Sequence, residues 1–208
     1  MAVVATDDFT RANNNDLGAN WTVATSFARW GIVSNAAAPS DLGTDCCERY
    51  SGATWANNQY SAGLIKALTG TAASDRGGGV AVRCSTSAQT VYLGICQAAS
   101  ANPDCAILKI VTGTFTELGS ANGGFVATDT IYLEVQGTAL KLRKGSGGAD
   151  LVSVTDSAIA SGQAGIGYSS TITDFDLESW EGGDFTSAFV PPPDSMIVYH
   201  APVRASRW

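Results

Sequence analysis

The stretch TIYLEVQGTALKLR, residues 130–143, constrains this chain more than any other. Its apolar residues recur at every second position on both sides of a turn. Ile131, Leu133 and Val135 share one face; after the turn at 136–138, Leu140 and Leu142 return to it, while Lys141 and Arg143 face out. A two-residue period belongs to a strand, and two such runs joined by a Gly-containing turn make a hairpin. The same period recurs along the chain. GVAVRC at 79–84 puts Val80, Val82 and Cys84 on one face, and TVYLGI at 90–95 does the same for Val91, Leu93 and Ile95. AILKIV at 106–111, QAGIGY at 163–168 and ITDFDLESW at 172–180 read as further strands. No window sustains a 3.6-residue pattern, so helices are expected to be short or absent. Many strands spaced about ten residues apart argue for an antiparallel sandwich.

Composition agrees. The 208 residues are 45% hydrophobic, enough for a real core, yet only 15% are charged, and 23 are glycine. Solvated helices need Glu, Lys and Arg on their outer faces, and this chain lacks them. The formal net charge is −7, and no basic cluster exceeds Lys141, Arg143 and Lys144. That argues against a nucleic-acid partner, because phosphate binding needs concentrated positive charge. No apolar run approaches the ~20 residues of a membrane span. The start, MAVVATDDF, has no basic segment and no long apolar segment of a secretory signal, so synthesis and folding in the cytosol are expected. Cys46 and Cys47 are adjacent, and Cys84, Cys96 and Cys105 fall in or near strands. An odd count with no CxxC spacing reads as buried thiols, with one disulfide left open. His200 is the single histidine, so no zinc site is expected.

DDFTRA at 7–12 followed by LGANW at 17–21 resembles the opening strand of concanavalin A-like (laminin-G-like) jelly-roll domains. WGIVSN at 30–35 is similar to their second strand, and NNQY at 57–60 to the start of the next long one. DTIYLEVQG at 129–137 and SGQAGIG at 161–167 resemble two late strands, and DFDLE at 174–178 with GGD at 182–184 the closing one. The resemblance implies two antiparallel sheets in which the first and last strands are neighbours. Its members include lectins, hydrolases and structural modules, so fold alone does not assign function. The expected fold is therefore an all-β, two-sheet jelly-roll sandwich over residues 1–188, followed by a Pro-rich arm at 189–208.

Three site readings follow. Period two would place Asp174, Asp176 and Glu178 on one strand face, and paired carboxylates can divide the work at a glycosidic bond. This segment resembles the Glu-x-Asp-x-Glu strand of laminarinase-type β-glucanases, but its first position is Asp174 and its strand closes the domain. The reading preferred is an outward polar face on an edge strand, with Phe175 and Leu177 inward and no catalytic residue. Exposed aromatic faces form the second reading. Trp55, Tyr60, Tyr92, Tyr168 and Trp180 could stack on sugars, and Trp55 with Asn57, Asn58 and Tyr60 is the most lectin-like cluster; Trp21 and Trp30 are expected in the core. Calcium near Asp41 and Asp45 is the third, since hard oxygen ligands suit it. No other cofactor is expected.

The function expected is a non-enzymatic structural or adhesive protein on the virion surface of a tailed phage, released by lysis and oligomeric, that binds host surface glycans. The alternatives are a carbohydrate-binding module of a bacterial polysaccharide system and a β-glucanase-like hydrolase. The arm would dock on other virion proteins or on copies of this chain. Pro191, Pro192 and Pro193 favour a stiff extended spacer. Met196, Ile197, Val198 and Tyr199 are β-prone and could add to a sheet edge, with Trp208 as a terminal anchor. Arg204 and Arg207 make the arm net positive, against 10 basic and 18 acidic side chains in residues 1–190.

Overall fold

The structure, a computed structural model, describes residues 1–40, 44–70, 77–98, 101–169 and 174–185. The arm, including Met196 to Trp208, lies outside them. There is no helix among the described residues. The strands are β1 (Ala2–Asp7), β2 (Trp21–Val23), β3 (Trp30–Ile32), β4 (Ala37–Pro39), β5 (Cys46–Tyr50), β6 (Gln59–Thr69), β7 (Gly77–Cys84) and β8 (Val91–Cys96). They continue as β9 (Cys105–Val111), β10 (Thr114–Ala121), β11 (Thr130–Gln136), β12 (Ala139–Lys144), β13 (Asp150–Thr155), β14 (Gln163–Ser169) and β15 (Asp174–Asp184). One sheet runs β13-β12-β11-β6-β15-β4-β3, with β1 also paired to β15; the other runs β10-β9-β8-β7-β14-β5-β2. Every named pairing is antiparallel, and the two sheets face each other as a lectin-like jelly-roll sandwich.

The hairpin read at 130–143 is β11 and β12. Leu133 pairs with Leu142 and Val135 with Leu140. Gly137 in the turn takes φ +59°, a left-handed conformation that glycine adopts without strain. Leu133, Val135, Leu140 and Leu142 are fully buried and meet Val80, Val82, Tyr92 and Ile107 of the facing sheet. Gly78 lets the sheets approach, because a Cβ there would fall 2.1 Å from the Phe175 ring.

β1 pairs with β15 from Ala2–Asp184 to Asp7–Trp180, so the first and last strands are neighbours. The DDFTRA turn is held by Asp7. Its carboxylate accepts from Arg11 at 2.7 and 2.9 Å, from the Phe9 amide at 2.9 Å and from Trp21 Nε1 at 2.8 Å. Burial opposes its charge, but these donors win and hold the carboxyl below its ordinary range.

Two expectations need correction. β15 is not an edge strand: it lies inside its sheet, between β6 on one side and β1 and β4 on the other. Cys84 does not share a face with Val80 and Val82. Those valines join the core between the sheets, whereas Cys84 packs on the far face with Ala81, Val91, Leu93 and Ile95. The reason is a bulge: the β14–β7 register shifts between Gln163 and Gly165, and Arg83 takes φ +50°. One extra residue reverses the alternation after it. All five cysteines are buried thiols, and Cys47 Sγ lies 3.8 Å from Cys84 Sγ.

Candidate functional site

The outer face of the first sheet carries a polar groove. Pairing places Tyr60, Ala62 and Leu64 of β6 opposite Glu134, Tyr132 and Thr130 of β11. The same β6 residues oppose Gly183, Glu181 and Ser179 of β15. Antiparallel partners point the same way, so these side chains share one face, opposite the core. A groove of about 790 Å³ crosses that face over β1, β15, β6 and β11. Thr6, Asp8, Thr130, Ser146, Ser179 and Glu181 supply hydroxyls and carboxylates to its wall, and Ala62 and Leu64 supply an apolar floor.

Beside the groove the outer face is braced. Tyr60 donates its hydroxyl to Glu181 Oε1 at 2.6 Å, and its ring stacks on Tyr132 with centroids 5.2 Å apart. Burial, then the Glu181 carboxylate, pushes the Tyr60 phenol well up. Arg143 lies 6.0 Å from the Tyr132 ring centroid and grips Glu134 through two bonds of 2.9 and 3.0 Å. Asp150 accepts from the same guanidinium at 2.5 Å. Such a bidentate pair is directional, so it ties β12 to β11 beside the groove.

The lectin-like cluster read from the sequence divides in the structure. Tyr60 is 3% exposed and its ring lies against Tyr132, so it offers no stacking face. Trp55 is half-buried, donates Nε1 to the Tyr50 carbonyl at 2.8 Å and packs edge-on against Tyr50 and Trp180. Asn57 and Asn58 go elsewhere, to a separate cleft of about 630 Å³ at the end of the sandwich. Tyr92, Tyr168 and Trp180 are core residues, as are Trp21 and Trp30. Tyr92 and Tyr168 stand on the second sheet, both faces of which are buried, so an aromatic residue there meets protein at either phase; Trp180 turns inward from β15 of the first sheet.

Asp176 and Glu178 point outward while Phe175 and Leu177 are fully buried. The Asp174 side chain lies outside those described; register with β6 shifts on both sides of Leu177, and Glu178 has no partner on β6. Neither Asp176 nor Glu178 lines the groove. Near the suggested calcium loop, Asp41 lies outside the described residues, and Asp45 accepts from Ser169 Oγ at 3.2 Å. Among the described residues no group of three or more His, Cys, Asp or Glu side chains could hold a metal ion.

Sequence reasoning missed the groove and the buried charged side chains, of which two matter most here. Glu48 in β5 is 2% exposed and accepts the Trp30 amide at 2.9 Å. Burial pushes its carboxyl up to about 7, against the opposing effect of the Trp30 N–H and the Arg29 charge. Arg83 in β7 is the other.

No family model and no curated protein matches the chain. Solved structures do. The carbohydrate-binding module CBM66 from Bacillus subtilis is 16% identical with a TM-score of 0.58, over 76% of this chain and 91% of that one. The exoplasmic/lumenal domain of VIP36 in its Ca2+/Man-bound form is 9% identical with a TM-score of 0.54, over 84% and 86%. Xylan β-1,4-xylosidase from Bacillus halodurans C-125 is 11% identical with a TM-score of 0.53, over 86% of this chain but 39% of the enzyme. At these identities the likeness is one of fold. That fold is a lectin-like jelly-roll sandwich.

Proposed function

We propose that this chain is a non-catalytic glycan-binding module that receives its ligand in the outer groove of the first sheet. The observation that carries the reading is the groove wall: hydroxyls of Thr6, Thr130, Ser146 and Ser179 with the carboxylates of Asp8 and Glu181, over Ala62 and Leu64. Such a wall matches a sugar, whose hydroxyls donate to carboxylates and exchange bonds with hydroxyls, while its C–H edges rest on aliphatic carbon. The acidic wall disfavours an anionic sugar there. The two aromatic residues among the described lining residues, Tyr132 and Trp180, are buried, so recognition rests on hydrogen bonds, and affinity per site is expected in the millimolar to micromolar range, about −4 to −8 kcal/mol. CBM66 and VIP36, whose names record carbohydrate binding, share the fold and support the class of ligand. The virion-surface setting belongs to this proposal on the sequence alone; multivalent display there would amplify weak sites.

The test is a glycan array followed by calorimetry, with and without calcium, on wild type and Ala62→Trp. Ala62 is a half-buried residue of the outer face, so an indole there fills the groove without entering the core. Binding by wild type that Ala62→Trp abolishes, with an unchanged melting temperature, supports the reading. A blank array, or hits that Ala62→Trp retains, refutes it.

A further inference from the structure

The cleft at the end of the sandwich holds a cation that has no counter-ion among the described residues. Arg83 is 3% exposed and lines this cleft of about 630 Å³ together with Asn57, Asn58, Ser157 and Phe185. Its guanidinium donates to three carbonyls: Asn57 at 2.9 Å, Ile159 at 2.8 Å and Gly137 at 2.7 Å. These acceptors come from three different loops, so the charge is fixed in place. Of the five N–H donors of an arginine, two remain. The one acid of the neighbouring loop, Asp156, is taken by Lys109 at 2.6 Å and by Tyr92 at 2.5 Å. A buried charge without a partner is costly, and burial lowers the affinity of this guanidinium for its proton.

The backbone is arranged around the same residue. Arg83 occupies the bulge position of β7 with φ +50°, where glycine would be free of strain. Buried Gln59 holds it there: its Oε1 accepts the Arg83 amide at 3.0 Å, while its Nε2 donates to Ala56 at 2.7 Å and Gly162 at 3.0 Å. Gly162 completes the fit, since a Cβ there would lie 2.4 Å from the Arg83 carbonyl carbon. Bulges re-aim side chains, and this one directs a guanidinium to the end of the sandwich.

We propose that the Arg83 cleft is a second binding site, which takes a carboxylate-bearing sugar, a uronic acid residue, through the two free guanidinium N–H groups. Asn57, Asn58 and the Ser157 hydroxyl stand at the cleft wall to meet the sugar hydroxyls. This site shares no lining residue with the groove, and it does not depend on the groove reading.

The experiment is a titration followed by NMR, reading the Arg83 Nε–H resonance. Galacturonate and glucuronate are the probes; galactose and glucose are their neutral counterparts. The uronates should shift the resonance saturably and the neutral sugars should not. Because Arg83→Ala removes three loop ties and risks the fold, Ser157→Asp is the informative variant. Ser157 is exposed at the cleft wall, and the new carboxylate supplies an internal partner. It should weaken uronate binding by about ten-fold or more, the loss expected of charge-assisted bonds, and should not lower the melting temperature. No saturable shift, equal shifts with the neutral sugars, or uronate binding that Ser157→Asp leaves intact each overturns the proposal.

Discussion

Glu48→Gln should make the protein more stable at alkaline pH and change it little in mild acid. The Glu48 carboxyl rises from an ordinary 4.5 to about 7 in the folded protein, because it is buried. A raised carboxyl contributes its full stability below the unfolded value, and loses it as pH climbs toward the folded one. At about 1.4 kcal/mol for each tenfold step, the ionised folded state is penalised by about 3 kcal/mol at pH 8 and by less than about 1 kcal/mol at pH 5. The glutamine amide would keep an oxygen for the Trp30 N–H and bring no charge to bury. The advantage of the variant over wild type should therefore grow by about 2.5 kcal/mol between pH 5 and pH 8. Urea unfolding followed by tryptophan fluorescence at the two pH values measures it. Arg29 opposes the shift and Asp16 adds to it, so Arg29→Ala should widen the difference. Parallel pH profiles for wild type and Glu48→Gln would refute the reasoning.

Asp7→Asn should cost about 2 kcal/mol at neutral pH, the worth of a charge-assisted cluster at a partly buried site. Because the folded Asp7 carboxyl is held low, that stability is present above the unfolded value and fades as pH falls through the folded one; unfolding at pH 7 and pH 3 checks the narrowing gap. Gly78→Ala drives a methyl into the Phe175 ring and should cost about 3 kcal/mol, a melting drop of roughly 6–12 °C. Calorimetry on the variant, alone and with Phe175→Leu, should reveal a non-additive pair. The thiols of Cys47 and Cys96 are pushed well up, Cys47 first by its contact with Cys84 and Cys96 by burial. Native protein should therefore react with a thiol reagent far more slowly than urea-unfolded protein; comparable rates would contradict the burial.

Much of the fold was legible because a strand writes its pairing into the sequence. The alternation of 130–143 gave the β11–β12 hairpin, and its inward residues are the buried ones. The motifs at 129–137, 161–167 and 174–184 fall on β11, β14 and β15, whereas DDFTRA is a turn after β1 rather than a strand, with Asp7 bonded to Arg11 and Trp21. The aromatic residues misled for a specific reason. Val91, Leu93 and Ile95 alternate with Tyr92, and every one of them is buried. Where protein covers both faces of a sheet, alternation no longer separates inside from outside, so Tyr92 and Tyr168 read as candidate platforms when they are core.

The site was harder to read because it belongs to no single stretch. Thr6, Leu64, Thr130, Ser146 and Glu181 are ordinary outward residues of ordinary strands and turns, and only the pairing of β1, β15, β6 and β11 brings them to one wall. Register is cooperative information: shifting one strand by one residue would send its whole polar set into the core. The two bulges are the exception that local reading could not anticipate. At Leu177–Ser179 a bulge leaves Glu178 without a partner on β6, and at Arg83 another turns a strand residue into the anchor of three loops. Arg83 holds a left-handed backbone without being glycine, and a charge without a described acid beside it. Each is a cost that the three loop ties offset only in part. Both are accounted for if the cleft it lines has an anionic visitor.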